Sequence, residues 1–114
     1  MKLSVIERVM LGGMLASYQG TFINLKLVRE GREALSFNEE EIADLKFVQV
    51  GDKVTWSPEA VPKYQDVDII LGIGIIKIIK DLLQALNDAN PPKLTEQHFS
   101  LYEKFVEPNL EIVQ

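Results

Sequence analysis

Imidazole, guanidinium and carboxylate groups are the side chains here with chemistry to offer, because the chain has no cysteine and a single histidine. That histidine, His98, falls within the apolar arc of the last predicted helix. An imidazole in such a place is more often a hydrogen-bonded core residue than a catalyst, and no sequence neighbour supplies a nucleophile or a group to orient the ring. Lys26, Arg29 and Arg32 recur at helical spacing and would make an anion-binding ridge. Glu30 and Glu33 follow Lys26 and Arg29 by four residues, so the favoured expectation is a solvated face laced with ion pairs. Glu39, Glu40 and Glu41 would serve a metal only if ligands converged from elsewhere. In the first turn of a helix they suit the positive end of its dipole. Gly12-Gly13 is not a phosphate cradle, since no strand precedes it and no G-K-[ST] follows, and the chain has no HExxH, EF-hand loop, P-loop or dinucleotide fingerprint. The expectation is a protein that is not an enzyme and uses no cofactor or metal. One alternative is sequestration of a small anionic nucleotide signal. It requires Lys26, Arg29 and Arg32 to converge with Trp56 or Tyr64 on one pocket, although Trp56 by itself favours the edge of a core.

Composition sets the frame for these groups. The 114 residues suit a single globular domain over residues 1-114, and the 46% apolar and 25% charged content is ordinary for one. The formal charge of −5 disfavours nonspecific attachment to nucleic acid or an anionic membrane. MKLSVIERVM lacks the features of a signal peptide. The apolar run around Ile70 to Ile79 is short of the ~20 residues a spanning helix needs. The expected location is cytoplasmic, with no membrane partner.

The most apolar stretch, Val67 to Leu86, organises the elements. Val67, Ile69 and Leu71 alternate with Asp66, Asp68 and Ile70, as in a short strand. From Gly72 the period changes, and Ile75, Ile76, Ile79, Leu82, Leu83 and Leu86 form one helical stripe. Ile78, Ala85 and Gly74 widen the arc to about half the circumference, which predicts a helix packed on two sides. Upstream, Ser4 and Glu7 make a capping box for a first helix from Val5, with Val5, Ile6, Val9, Gly13 and Ala16 on one face. Thr21 caps a second helix to about Leu35, with an apolar face of Ile23, Leu27, Val28, Ala34 and Leu35 and with Gly31 permitting close contact. Ser36 and Glu39 suggest another capping box for a short third helix. Lys46 to Ser57 reads as a hairpin about Gly51-Asp52, which the Val67 strand would extend to three strands. Thr95 opens the last helix, with Leu94 and Phe99 as a hydrophobic staple, and Pro108 ends it before a tail. The predicted fold class is α+β, mainly helical, with about five helices and a small antiparallel hairpin or three-stranded sheet in the middle of the chain.

Three helices followed by a hairpin match the order of a winged helix-turn-helix. The element in the recognition position carries Glu39, Glu40, Glu41 and Asp44, so phosphates would repel it and no duplex DNA is expected as partner. The pieces LKLVREGREALSF, EEEI, the hairpin ending VTW, and LTEQHFSLYEKFV together resemble a family of small uncharacterised proteins of bacteriophages and prophages. The likeness spans Leu25 to Val106. It implies a phage or prophage protein inside a host cell, and it transfers no catalytic residue.

The leading functional expectation is a nonenzymatic phage accessory protein that binds a host or phage protein, with counter-defence as one use. The alternatives are the nucleotide binder and a structural component of the phage particle. A homo-oligomer, most simply a dimer, is also expected. Gly74, Ile78 and Ala85 flank the main stripe of the long helix, and Leu11 and Leu15 fall on the charged side of the first, so all five are candidate contact residues.

Overall fold

The structure, a computed structural model, describes residues 1–106. The expected end of the last helix at Pro108 and the tail beyond it lie outside the described residues. The fold is α+β and mainly helical. In chain order it comprises β1 (Lys2–Leu3), α1 (Val5–Ala16), α2 (Phe22–Leu35), α3 (Glu39–Leu45), β2 (Val48–Val50), β3 (Lys53–Thr55), β4 (Val67–Asp68), α4 (Ile73–Asp88) and α5 (Phe99–Phe105). Single 3₁₀ turns lie at Val61–Tyr64 and Glu96–His98.

Local chemistry explains the helix starts. Ser4 and Glu7 form the capping box of α1, and the Thr21 side chain accepts from Asn24 N–H to start α2. The box of α3 is shifted by two residues from the expected one. Asn38 is its cap and Glu41 its third residue, while Ser36 closes α2 by donating its hydroxyl to the Glu33 carbonyl. Asn takes the cap because its side-chain oxygen reaches the Glu41 N–H at 2.8 Å. Thr95 caps the 3₁₀ turn that leads into α5. Phe99 is 66% exposed there, so the Leu94–Phe99 staple does not close.

The strand at Val67 does not join the hairpin. It pairs antiparallel with β1, Leu3 against Val67 and Lys2 against Asp68, while β2 and β3 form a separate two-stranded sheet. The three-stranded alternative is therefore wrong. Leu3 is fully buried and Ile69 N–H donates to the Met1 carbonyl, so the first residues of the chain occupy the place beside β4. In the hairpin Gly51 adopts a φ of 61°, which a side chain would strain.

The larger core joins Leu3, Leu11, Leu15, Val28, Ile79 and Leu83 with residues of α5, and α4 packs against α1, α2 and α5. Contact on more than one side of α4 agrees with its wide apolar arc. The smaller core holds Val5, Leu45 and Tyr64, edged by Phe37, Phe47 and Trp56.

The first helix corrects the sequence. Leu11 and Leu15, expected outside, are buried to 0% and 2% exposure, whereas Ile6, Gly13 and Ala16 of the expected inner face are exposed. The reason is that Glu7 and Arg8 are themselves buried. A charged side chain that finds its partner indoors turns the helix, and Arg8, Leu11 and Leu15 then line one inward face. Each leucine so buried contributes roughly 1.5–3 kcal/mol.

Candidate docking face

His98, Arg8, Glu7 and Glu41 are occupied with the fold. His98 Nδ1 accepts from the Thr95 N–H at 2.9 Å, closing the capping box before α5. Arg8 is fully inside and joins three elements. Its guanidinium donates to the Leu35 carbonyl at 3.2 Å, to the Ser36 carbonyl at 2.6 Å and to both Glu41 oxygens, and it lies 3.9 Å over the Phe37 ring. It therefore holds the carbonyl end of α2, where a cation is favoured, against the acidic first turn of α3. Burial opposes ionisation of Glu41, but the Arg8 hydrogen bonds and the Asn38 N–H outweigh it and hold the carboxyl below its ordinary range. Glu7 behaves alike: burial works against the charge, and Lys104 at 2.7 Å together with the Ser4 N–H overcomes it. Sequence reasoning gave Glu7 and Glu41 only local roles at helix starts and missed these ties.

The nucleotide alternative needs Lys26, Arg29 and Arg32 in one place with Trp56 or Tyr64, and they are not together. Arg29 and Arg32 line a shallow depression with Glu33 and Ser36, while Lys26 lies outside it. Trp56 packs edge-on to Phe47 with ring centroids 6.1 Å apart, and Tyr64 is buried in the smaller core with its hydroxyl donated to Asp44. Tyr64 and Trp56 thus belong to one wall and the arginines to another element. The ion pairs expected along α2 are likewise not formed. Those among the described residues involve Met1, Arg8, Lys63 and Lys104. The described residues contain no group of three or more His, Asp or Glu side chains placed to hold a metal.

Among the five contact candidates, Leu11, Leu15 and Ile78 are core residues, Ile78 at 7% exposure. Ile78 is covered within the chain by the larger core, so it offers nothing to a partner. Gly74 has an internal use too. A Cβ there would stand 2.9 Å from Leu27 Cδ1, and one at Gly31 would stand 2.5 Å from Ile75 Cγ1. Each helix gives the other a notch, and α2 and α4 interlock through them. Close contact at Gly31 is the expectation from sequence that this joint bears out. Ala85 is exposed, but its single methyl group offers little apolar surface to a partner.

That interlock leaves a different apolar surface open. Gly72 begins α4 without a side-chain cap, and on either side of it Ile70 and Ile73 are 87% and 89% exposed. Ile70 lines a cleft of about 220 Å³ together with Leu27, Gly31, Ala34 and Ile75. Ile23, 72% exposed, lies one turn before Leu27 on α2. Isolated exposed apolar residues are ordinary, but Ile70 is bared on the wall of an apolar cleft, and the two helices that form the cleft carry the exposed Ile23 and Ile73, a combination of the kind that marks contact surfaces. The signal was present in the sequence. Ile70 shares the outward side of the Val67 strand with Asp66 and Asp68, and Ile73 lies outside the main stripe of α4.

Compared with known protein families, curated proteins and solved structures, the chain matches none. No helix among the described residues is long and apolar enough to cross a membrane.

Proposed function

We propose that this chain is a nonenzymatic accessory protein that works by docking another protein chain on the apolar cleft between α2 and the start of α4. The observation that supports it is the 87% exposure of Ile70, which lines the cleft. The occupied state of His98, Arg8, Glu7 and Tyr64 is in keeping with a binder, because each is held in a cap, an ion pair or a core. The resemblance to phage and prophage proteins sets the proposal in the cytoplasm of a host cell, with a host or phage protein as partner and counter-defence as one use. A photo-cross-linking residue placed at position 70, and in a second variant at position 23, tests the site. Both should trap a discrete protein adduct in cells, while the same residue at exposed Gln19 should not. Equal adducts from all three positions would remove the cleft from consideration.

A further inference from the structure

We infer that the occupant of this cleft is a second copy of the chain, paired through antiparallel α2 helices about a twofold axis; this rests on the docking reading above. The argument is charge complementarity around the apolar residues. At ~100° per residue, Ile23, Leu27, Glu30 and Ala34 run along the cleft side of α2, with Lys26 beside them. Leu27, Glu30 and Ala34 line the cleft itself. Lys26 and Glu30 are exposed, and neither enters an ion pair among the described residues.

An isologous contact must satisfy itself, because each residue meets its counterpart's neighbour twice. Turning α2 about an axis near Val28 sets Lys26 of each copy opposite Glu30 of the other. The same rotation carries each Ile23 toward the opposite copy's Ala34, at the cleft mouth where Ile70 is exposed. Apolar residues therefore meet the apolar mouth, and the two charges on the cleft side of α2 each meet their opposite. A partner chosen without regard to this chain would have to reproduce that alternation. A second copy carries it already.

Charge exchange at exposed positions tests the pairing without disturbing the core. Wild-type protein should sediment as a dimer, and Ile70→Glu should raise the dissociation constant by about tenfold or more while the circular dichroism stays unchanged. Lys26→Glu and Glu30→Lys, each alone, oppose like charges at both symmetric positions and should each weaken the dimer by more than about tenfold. Mixed together, the two variants oppose unlike charges at both positions and should form a heterodimer, and the double variant K26E/E30K should dimerise again. A dimer indifferent to these exchanges would overturn the proposed pairing, as would wild-type protein that stays monomeric at about millimolar concentration. In the monomeric case, a cross-linker at position 70 that traps a different protein leaves the docking function standing with another occupant. A cross-linker that traps nothing brings down both.

Discussion

Arg8 and Lys63 both neutralise carboxylates of the acidic helix α3, one from inside the protein and one from its surface. The Arg8–Glu41 pair has side chains only 1% and 6% exposed. Lys63 reaches Glu40 at 3.2 Å and Asp44 at 3.0 Å with side chains 57%, 71% and 38% exposed. The chemistry is alike but the consequences differ. Water screens the Lys63 cluster and solvates each partner if the other leaves. Arg8 and Glu41 have given up their water, so each depends on the other and on the Leu35 and Ser36 carbonyls. The inner pair also decides which way α1 faces, and so where Leu11 and Leu15 go.

The largest effect should come from breaking the inner pair. Glu41→Ala leaves a buried guanidinium with its carbonyl partners but no counter-charge, and it also removes the capping box of α3. Truncating one partner of a buried pair typically destabilises by about 3–5 kcal/mol, so urea denaturation should show a midpoint well below that of the wild type. A loss under about 1 kcal/mol would place Arg8 in water and the surface and buried clusters in one class. The joint between α2 and α4 has no charge and gives a scale for shape alone. Gly31→Ala puts a methyl 2.5 Å from Ile75 Cγ1, and overpacking of this kind costs about 1–3 kcal/mol. If that variant proves as stable as the wild type, the two helices are not interlocked.

Acid acts on the inner charges more gradually. The carboxyls of Glu41 and Glu7 have folded pKa values below their ordinary value of 4.5. A depressed folded pKa means that the stabilisation is complete above the ordinary value and is lost as pH falls from there through the folded value. Denaturation midpoints should therefore be flat above pH 4.5 with respect to these two groups and fall below it. In Glu41→Gln the fall should be shallower, since one of the two titrating groups is gone. An identical acid profile in that variant would assign the acid sensitivity elsewhere.

Most helix boundaries were legible in the sequence because caps are local: Ser4 with Glu7 and Thr21 with Asn24 sit within one turn of chain. The partner of Val67 was not, because β1 is only two residues long and lies more than sixty residues away. No periodicity is visible in two residues. The face of α1 was misread for a chemical reason. Leu11 and Leu15 were set aside as lying on the charged side, and only the partners of Glu7 and Arg8, Lys104 and Glu41, distant in sequence, show that this side is the inner one. Ile78 was misplaced because α4 is covered on three sides, so the stripe chosen from sequence was narrower than the buried one. The exposed pair Ile70 and Ile73 was overlooked for the same reason in mirror image. Within an unbroken apolar run, hydropathy alone cannot tell the isoleucine that points inward from the one that points out, and only the alternation of Ile70 with Asp66 and Asp68 carries that signal.

The smallest effect should come from the surface cluster, and it sharpens the comparison because the charges respond even where stability does not. Asp44 is held below the ordinary carboxylate range first by the Tyr64 hydroxyl and then by Lys63, while Lys63 is pushed upward by Asp44 and Glu40. Lys63→Met should leave the denaturation midpoint within replicate scatter, at low salt and at high. The titration of Asp44, followed by carboxyl NMR, should nevertheless move toward its ordinary value, and only part of the way because the hydroxyl remains. Tyr64→Phe should move it further, since it removes the larger cause. A Lys63 variant that unfolds as early as Glu41→Ala would show that exposure does not separate the two clusters. One in which Asp44 titrates unchanged would show that the ammonium does not stand where its 3.0 Å contact puts it.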